Sequence, residues 1–150
     1  MQRILIVSDT HKRLGNLYEA LEKEGSVDAM IHLGDLEGDE DIVNEMIPGP
    51  VYMVPGNNDY YSQAPRELEI QLAGKNVLLT HGHYYYVSLD LQTIRQEGIA
   101  RGMDIVMFGR TGIVPHRITV AVIGVGKGKS RNLGRRLPRR SNCCYFRKSS

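Results

Sequence analysis

Short apolar runs recur along this chain, and each one leads directly into polar side chains. The run "ILIV" is followed by Asp9 and His11, "AMIHLG" by Asp35, "VYMVPG" by Asn57 and "NVLLT" by His81. Such runs predict buried strands, and their alternation with helical patterns predicts an α/β sandwich with a largely parallel central sheet. Because the carboxyl ends of parallel strands lie at one edge of a sheet, we expect these polar groups to meet there.

The polar groups at the strand ends are of a kind that binds metal ions. Carboxylate, imidazole and amide oxygen together suit Mn²⁺, Fe²⁺ or Zn²⁺. No thiolate takes part, which argues against a structural zinc site. The alternative is that these residues cap helices and form turns, as Asp and Asn do at strand-to-helix junctions. Their recurrence at successive strand ends favours the metal site.

The charge of the chain is divided sharply along its length. Up to Asp104 there are 8 basic and 17 acidic residues, a formal charge of −9, whereas from Ile105 onward there are 11 basic residues and no acid. A basic end is one signature of nucleic-acid binding. In residues 112–150, the aromatic residues that could stack on bases are limited to Tyr145 and Phe146. We therefore expect no nucleic-acid partner.

The length and the apolar pattern predict a cytoplasmic globular protein. A chain of 150 residues has the usual size of one domain. No apolar stretch approaches the ~20 residues that cross a bilayer, and the first apolar run is too short for a signal peptide. We expect no membrane partner, and the sequence leaves a homo-oligomer open.

Four short motifs resemble, in this order, the calcineurin-like metallophosphoesterases. They are "DTH" (9–11), "GD" (34–35), "GNND" (56–59) and "HGH" (81–83), and the likeness is to the small single-domain bacterial and archaeal phosphodiesterases. The resemblance implies the fold of that family and two divalent metal ions, with Mn²⁺ favoured and Fe, Ni or Zn as alternatives. It also implies hydrolysis of a small phosphodiester by a hydroxide that both ions activate.

The resemblance further implies which residues hold the ions. Asp9 and His11 match the ligands of the first ion, and Asn57 and His81 match ligands of the second. Asp35 matches the residue that bridges the two ions, a role that suits a carboxylate because it carries two oxygens and a negative charge.

Three further residues are implied in catalysis. Asn58 stands where many relatives have a histidine that assists the leaving group, and an amide can donate a hydrogen bond but no proton near neutral pH. Asp59 matches the acid that orients the residue at that position. His83 has two interpretations, contact with the substrate phosphate or support of the metal ligands.

The family pattern fails near the end of the likeness, at about residue 111. Where the family has Gly-His-x-His, this chain has "GRTG" (109–112). Arg110 and Gly112 replace two histidine ligands, and arginine is always protonated and has no lone pair to offer a metal. We therefore expect weak metal binding and impaired turnover. A non-catalytic scaffold or interaction module on the same fold is the alternative function.

The remaining sequence predicts an aberrant or incomplete C-terminal part. We divide the chain into a metallophosphoesterase core, residues 1–111, and a basic, poorly patterned tail, residues 112–150, in which "RITVAVIGVG" (117–126) is a strand candidate. Ligands, acidic residues and hydrophobic pattern are all lost at one point. This coincidence favours a shift of the coding frame near residue 112.

Overall fold

The strands that the structure describes form two four-stranded sheets, and the helices lie in connections between strands of the same sheet. The computed structural model describes residues 2–109, 119–125 and 144–147. The elements are β1 (Gln2–Ser8), α1 (Gly15–Glu24), β2 (Ala29–His32), α2 (Glu40–Glu45), β3 (Val51–Met53), β4 (Glu67–Leu72), β5 (Lys75–Thr80), a 3₁₀-helix (His83–Tyr85), α3 (Gln92–Ala100), β6 (Ile105–Phe108), β7 (Thr119–Val125) and β8 (Cys144–Arg147).

The first sheet has the strand order β3-β2-β1-β7. Its strands β1, β2 and β3 are parallel, with Ile4 opposite Ala29 and Met30 opposite Val51. Helices α1 and α2 lie in the two connections between these strands, as parallel pairing requires. Strand β7 joins the other side of β1 in the antiparallel direction. The carboxyl ends of β1, β2 and β3 therefore share one edge.

The second sheet has the order β4-β5-β6-β8 and is mostly antiparallel. Strands β4 and β5 form a hairpin in which Leu72 pairs with Lys75. The two residues between them, Ala73 and Gly74, have positive φ angles of 47° and 77°, as a tight hairpin turn requires. Strand β6 is parallel to β5, and β8 is antiparallel to β6.

The predicted α/β sandwich is confirmed, and the structure adds how its strands are divided. The sequence predicts one largely parallel central sheet, whereas the structure has two sheets. Three of the six pairings between described strands are parallel. The hairpin between β4 and β5 accounts for part of this difference, because a two-residue turn can connect only antiparallel strands.

Strand β1 is buried on both faces, which explains its continuous apolar sequence. Ile4 and Ile6 face a core with Leu79 and Met107 of the second sheet. Leu5 and Val7, which alternate with them, face a core with residues of α1 and α2. A third core lies between α3 and the outer face of the second sheet. This burial fixes where β1 ends and thus where the next polar residues emerge.

Two strands follow the point at which the family pattern fails. The strand predicted over 117–126 is observed as β7, and β8 had no signal in the sequence. Arg110 and Gly112 lie outside the described residues. The division at residue 111 and the frame shift remain predictions. In the parts of the chain that the structure describes, no helix is long and apolar enough to cross a membrane.

Candidate metal centre

The side chains predicted at the strand ends meet at one edge of the fold. Asp9 follows β1, Asp35 follows β2, Asn57 follows β3 and His81 follows β5 directly. One ligand atom from each of Asp9, Asp35 and His81 lies within 4.8 Å of the other two. The structure therefore brings together residues that are up to 72 positions apart in the sequence.

His81 directs a nitrogen lone pair at two oxygen atoms. Its Nδ1 lies 2.5 Å from the carbonyl oxygen of Leu33, and because a carbonyl only accepts, Nδ1 carries the proton. In the neutral ring Nε2 is then unprotonated. Nε2 lies 3.2 Å from Asn57 Oδ1 and 3.6 Å from Asp35 Oδ2. Three electron-pair donors that face one another in this way form a site that fits a cation.

His11 shows the same arrangement on the other side of Asp35. Its Nδ1 is hydrogen-bonded to Glu37 Oε1 at 2.5 Å, and its Nε2 lies 3.5 Å from Asp35 Oδ2. Burial lowers the pKa of His11, but the hydrogen bond to Glu37 and the charges of Asp35, Glu37 and Asp9 outweigh it and raise the pKa. A carboxylate behind a histidine is a common way to orient a metal ligand.

Glu37 is the functional candidate that sequence reasoning missed. It lies two residues after Asp35, but a half-exposed acid in a loop has no local signature. Its role is visible only because the fold brings it to His11, 26 residues earlier.

Asp9 is mostly buried at this edge and is crowded by other charges. The hydroxyl of Ser8 donates to its carboxylate. Burial raises the pKa of Asp9, and the nearby Asp35 carboxylate adds to this, while Ser8, His81 and His11 oppose it; the net shift is upward. Because burial disfavours the charged carboxylate, a cation bound nearby would stabilise the form that binds metal.

The backbone is strained at the residues that carry these ligands. Asp9, His11, Asp35 and Glu37 all have positive φ angles, between 45° and 62°. Non-glycine residues rarely adopt this conformation, which costs about 1–3 kcal/mol and is concentrated at functional sites. Two hydrogen bonds hold it, from Asp9 N to Gly34 O and from His11 N to Asp35 O, both 2.9 Å. The strain supports a functional role for this edge over simple turn formation.

Asn58 and Asp59 both act on Asp35. The side-chain N–H of Asn58 donates to Asp35 Oδ2 at 3.0 Å, and its backbone N–H donates to Asp35 Oδ1 at 2.9 Å. The Asp59 carboxylate accepts from the backbone N–H groups of Asp35, Glu37 and Gly56, at 2.6–2.7 Å. Asp59 and Asn58, which both lie in the described part of the chain, are not hydrogen-bonded to each other. Asp59 thus fixes the loops after β2 and β3, and its role in orienting residue 58 stays a prediction.

His83 lies at the border of the centre, at the start of the 3₁₀-helix. Its ring centroid is 5.4 Å from that of His81 and 3.9 Å from that of Tyr84. Burial lowers the pKa of His83, with smaller contributions in the same direction from His81 and Arg66. Its Nδ1 is buried and has no hydrogen-bond partner within residues that the structure describes. Both interpretations of His83 stay open.

Replacement of Gly56 by alanine tests how tightly the centre is packed. A Cβ atom there would lie 2.1 Å from Asp35 Oδ1 and 2.4 Å from Asp35 N. Neither atom can move without breaking the hydrogen bonds of Asp35. We expect Gly56→Ala to lower the free energy of unfolding by about 3 kcal/mol, measured by urea denaturation. Gly15→Ala is the control, because no atom of the described residues lies within 4 Å of that Cβ. Equal stability of the two variants would contradict the packing.

His32 is a buried structural histidine that ties two loops of the centre together. Gly34 N–H donates to its Nδ1 at 3.2 Å, so Nε2 carries the proton and donates to Thr10 Oγ1 at 3.1 Å. The ring has no exposed surface. Burial lowers the pKa of His32 from 6.5 to about 3.

We expect the neutral His32 to make folding sensitive to acid. Below pH 6.5 the unfolded chain binds a proton that the folded chain rejects until about pH 3. The contribution of His32 to the free energy of unfolding is therefore fully present above pH 6.5. As the pH falls from 6.5 towards 3, this contribution decreases by about 1.4 kcal/mol for each pH unit. The check is urea unfolding at pH 7 and pH 5 of the wild type and His32→Gln. An identical loss in both proteins would contradict the prediction.

The fold and the donor set define the class of the protein, an α/β sandwich with a candidate metal centre at its strand ends. The family model described as "Calcineurin-like phosphoesterase superfamily domain" matches residues 2–128. The chain belongs to this superfamily. The resemblance in the sequence is thus confirmed, and the match extends beyond residue 111.

Three known proteins illustrate the relationship. The probable metallophosphoesterase YsnB of Bacillus subtilis (strain 168) is 27% identical over 129 residues, 85% of this chain and 75% of that protein. A crystal structure of a conserved uncharacterized protein of Streptococcus pneumoniae TIGR4, a predicted phosphoesterase, aligns with a TM-score of 0.59 at 27% identity, over 73% of this chain but only 62% of that one. Wild-type Vps29 of Entamoeba histolytica, solved with Zn²⁺, aligns with a TM-score of 0.60 at 18% identity, over 85% and 74%; this likeness shows the fold alone.

Proposed function

We propose that the chain is a metal-dependent phosphodiesterase that acts on a small phosphodiester. The observation that carries this proposal is the convergence of His81 Nε2, Asn57 Oδ1 and Asp35 Oδ2 on one point, with the proton of His81 held on the opposite nitrogen. Membership of the phosphoesterase superfamily supports hydrolysis of a phosphate ester as the chemistry.

The position of Asp35 supports two ions rather than one. Its Oδ2 atom lies 3.5 Å from His11 Nε2 and 3.6 Å from His81 Nε2, so one carboxylate faces both imidazoles. We propose Asp9, His11 and Asp35 for one ion and Asp35, Asn57 and His81 for the other. Mn²⁺ is our first choice, with Fe, Ni and Zn as alternatives. Bound divalent ions supply positive charge that stabilises the transition state and lower the pKa of water.

The neighbouring residues complete this proposal. The side-chain amide of Asn58 lies beside Asp35 and carries two N–H groups. One donates to Asp35, and the other can donate to a phosphoryl oxygen. Asp59 positions Asp35 and Glu37 through their backbone N–H groups. His83, whose lowered pKa keeps it neutral near pH 7, can accept or donate a hydrogen bond at the border of the centre. We further propose a cytoplasmic location and no nucleic-acid or membrane partner.

Mn²⁺ is expected to stabilise the folded protein. When the ion concentration is ten times the dissociation constant, binding adds about 1.4 kcal/mol and raises Tm by about 3–5 °C. The measurement is a thermal melt of the full chain at increasing Mn²⁺, with Asp35→Asn as the variant that loses the response. An equal rise in that variant would place the ion elsewhere.

The sequence around residue 110 supports a second function, a non-catalytic interaction module on the same fold. Arg110 and Gly112 stand where the family has histidine ligands. The two functions differ in a simple assay with bis-p-nitrophenyl phosphate and Mn²⁺. Slow hydrolysis that EDTA abolishes supports the phosphodiesterase, whereas no rise in Tm and no hydrolysis favour the module.

A further inference from the structure

A cavity of about 620 Å³ adjoins the candidate metal centre. Asn58 lines this cavity and also donates to Asp35 Oδ2 at 3.0 Å. Glu37 lines it as well and is hydrogen-bonded to His11 Nδ1. Asp59, which accepts from the backbone N–H of Asp35, lines it too. The cavity therefore shares three residues with the centre, and a group attached to a phosphate there can extend into it.

Two aromatic side chains of the cavity are free to contact a ligand. Tyr60 and Tyr61 both line it, and they are 80% and 94% exposed. Neither ring belongs to one of the three hydrophobic cores found in the part of the chain that the structure describes. Aromatic faces in such a position attract cations as well as apolar groups.

The charged groups of the cavity are unbalanced. Glu37 is bonded to a histidine and Asp59 accepts three backbone N–H groups, so their charges are compensated. Glu40 and Asp41 form no ion pair with any described residue, and Lys12 is the only lysine or arginine among the lining residues described. Glu40 and Asp41 lie in the first turn of α2, whose N–H groups offset part of their charge, as does Lys12. The described lining residues still carry a net negative charge beside two aromatic rings, which attracts a cation and repels a second phosphate.

We propose that this cavity binds one alcohol arm of the phosphodiester and prefers an arm with a quaternary ammonium group. The inference rests on the proposed function and names its substrate class, the phosphodiesters of amino alcohols. Tyr60 and Tyr61 offer their faces to the ammonium methyl groups. Glu40 and Asp41 supply the negative potential that distinguishes this arm from an uncharged arm of equal shape.

The test compares two ligands that differ only in one charge. Phosphorylcholine and 3,3-dimethylbutyl phosphate have the same shape, and calorimetric titration of the Mn²⁺-loaded protein gives a dissociation constant for each. We expect phosphorylcholine to bind about tenfold more tightly. The double variant Glu40→Gln/Asp41→Asn is expected to reduce this ratio to about threefold, the preference that the two tyrosine rings retain. Glu19→Gln/Glu22→Gln on α1, outside the cavity, makes the same change in net charge and is expected to leave the ratio intact.

Equal dissociation constants for the two ligands, or a ratio that stays at about tenfold in Glu40→Gln/Asp41→Asn, would overturn the inference. The p-nitrophenyl diesters of the two alcohols give the same comparison as a ratio of kcat/KM. Hydrolysis of bis-p-nitrophenyl phosphate in parallel separates the two proposals. Metal-dependent hydrolysis with no preference for choline rejects the inference and leaves the phosphodiesterase standing. A clear preference in binding with no metal-dependent hydrolysis supports the cavity and rejects the phosphodiesterase.

Discussion

Replacement of Asp35 by asparagine is expected to reduce Mn²⁺-dependent hydrolysis of bis-p-nitrophenyl phosphate to background. Asp35 Oδ2 is the one carboxylate oxygen recorded within 4 Å of both His11 and His81 in the described residues. Asparagine keeps the size of the side chain but removes its negative charge. A loss of about 3–4 kcal/mol in transition-state stabilisation, or about 10²–10³-fold in kcat/KM, is expected when a group that holds both ions becomes neutral.

The control for this prediction is an aspartate of similar chemistry away from the centre. Asp90 accepts a hydrogen bond from Gln92 N at 2.7 Å near the start of α3 and is exposed. Asp90→Asn is expected to keep full activity. The folded fraction of both variants is checked by a thermal melt without metal. Full hydrolysis by a folded Asp35→Asn protein would show that the catalytic centre is elsewhere.

The strand ends of this protein could be predicted because they depend on local sequence. A strand that is buried on both faces, such as β1, has to be apolar throughout, so the first acid after it marks its end. Asp9 and His81 follow β1 and β5 directly, whereas Asp35 and Asn57 come two and three residues later than the positions next to the ends of β2 and β3. The expectation that the carboxyl ends of parallel strands meet at one edge applies to the first sheet. The shared edge of β1, β2 and β3 explains why Asp9, Asp35 and Asn57 meet. His81 follows β5 of the second sheet and reaches them because the two sheets pack against each other.

The division into two sheets could not be read from local pattern. Each strand shows its own alternation, but which strands pair depends on contacts between distant residues. The hairpin between β4 and β5 is a local feature, because its turn needs only Ala73 and Gly74. Its consequence, that β5 and β6 begin a second sheet facing the first, depends on burial of Ile4 and Ile6 against Leu79 and Met107. Pairing of this kind appears only in the assembled fold.

Residues that act through other residues were also hidden from the sequence. Glu37 and His32 contact the loops of the centre, but neither has a spacing or neighbour that distinguishes it from an ordinary loop acid or core residue. His32 lies inside an apolar run of the sequence, and only its bonds to Gly34 and Thr10 show which loops it joins. Support of this kind is a property of three-dimensional contacts.

Restoration of the two missing imidazoles is expected to raise activity. The family pattern places histidine ligands at the positions of Arg110 and Gly112, so the chain has an always-protonated side chain at one and no side chain at the other. The double variant Arg110→His/Gly112→His returns one protein ligand to each ion and removes a cation. We expect kcat/KM for bis-p-nitrophenyl phosphate to rise about 10²-fold, which corresponds to a gain of about 2.7 kcal/mol in transition-state stabilisation. We also expect the variant to reach half of its maximal activity at a lower Mn²⁺ concentration.

The matched control for this restoration is Arg110→Gln/Gly112→Gln, which removes the same cation and adds side chains that offer no imidazole nitrogen. A rise in the histidine variant alone assigns the impairment of the wild type to its lost ligands. Equal gains in both variants would assign it to the charge of Arg110, since removal of a positive side chain is the change they share. If neither variant gains activity, the histidine positions of the family do not apply to residues 110 and 112. The frame shift near residue 112 would then be the better explanation for the impaired activity. Histidines introduced into a segment that is translated out of frame would not lie at the metal-ligand positions of the family.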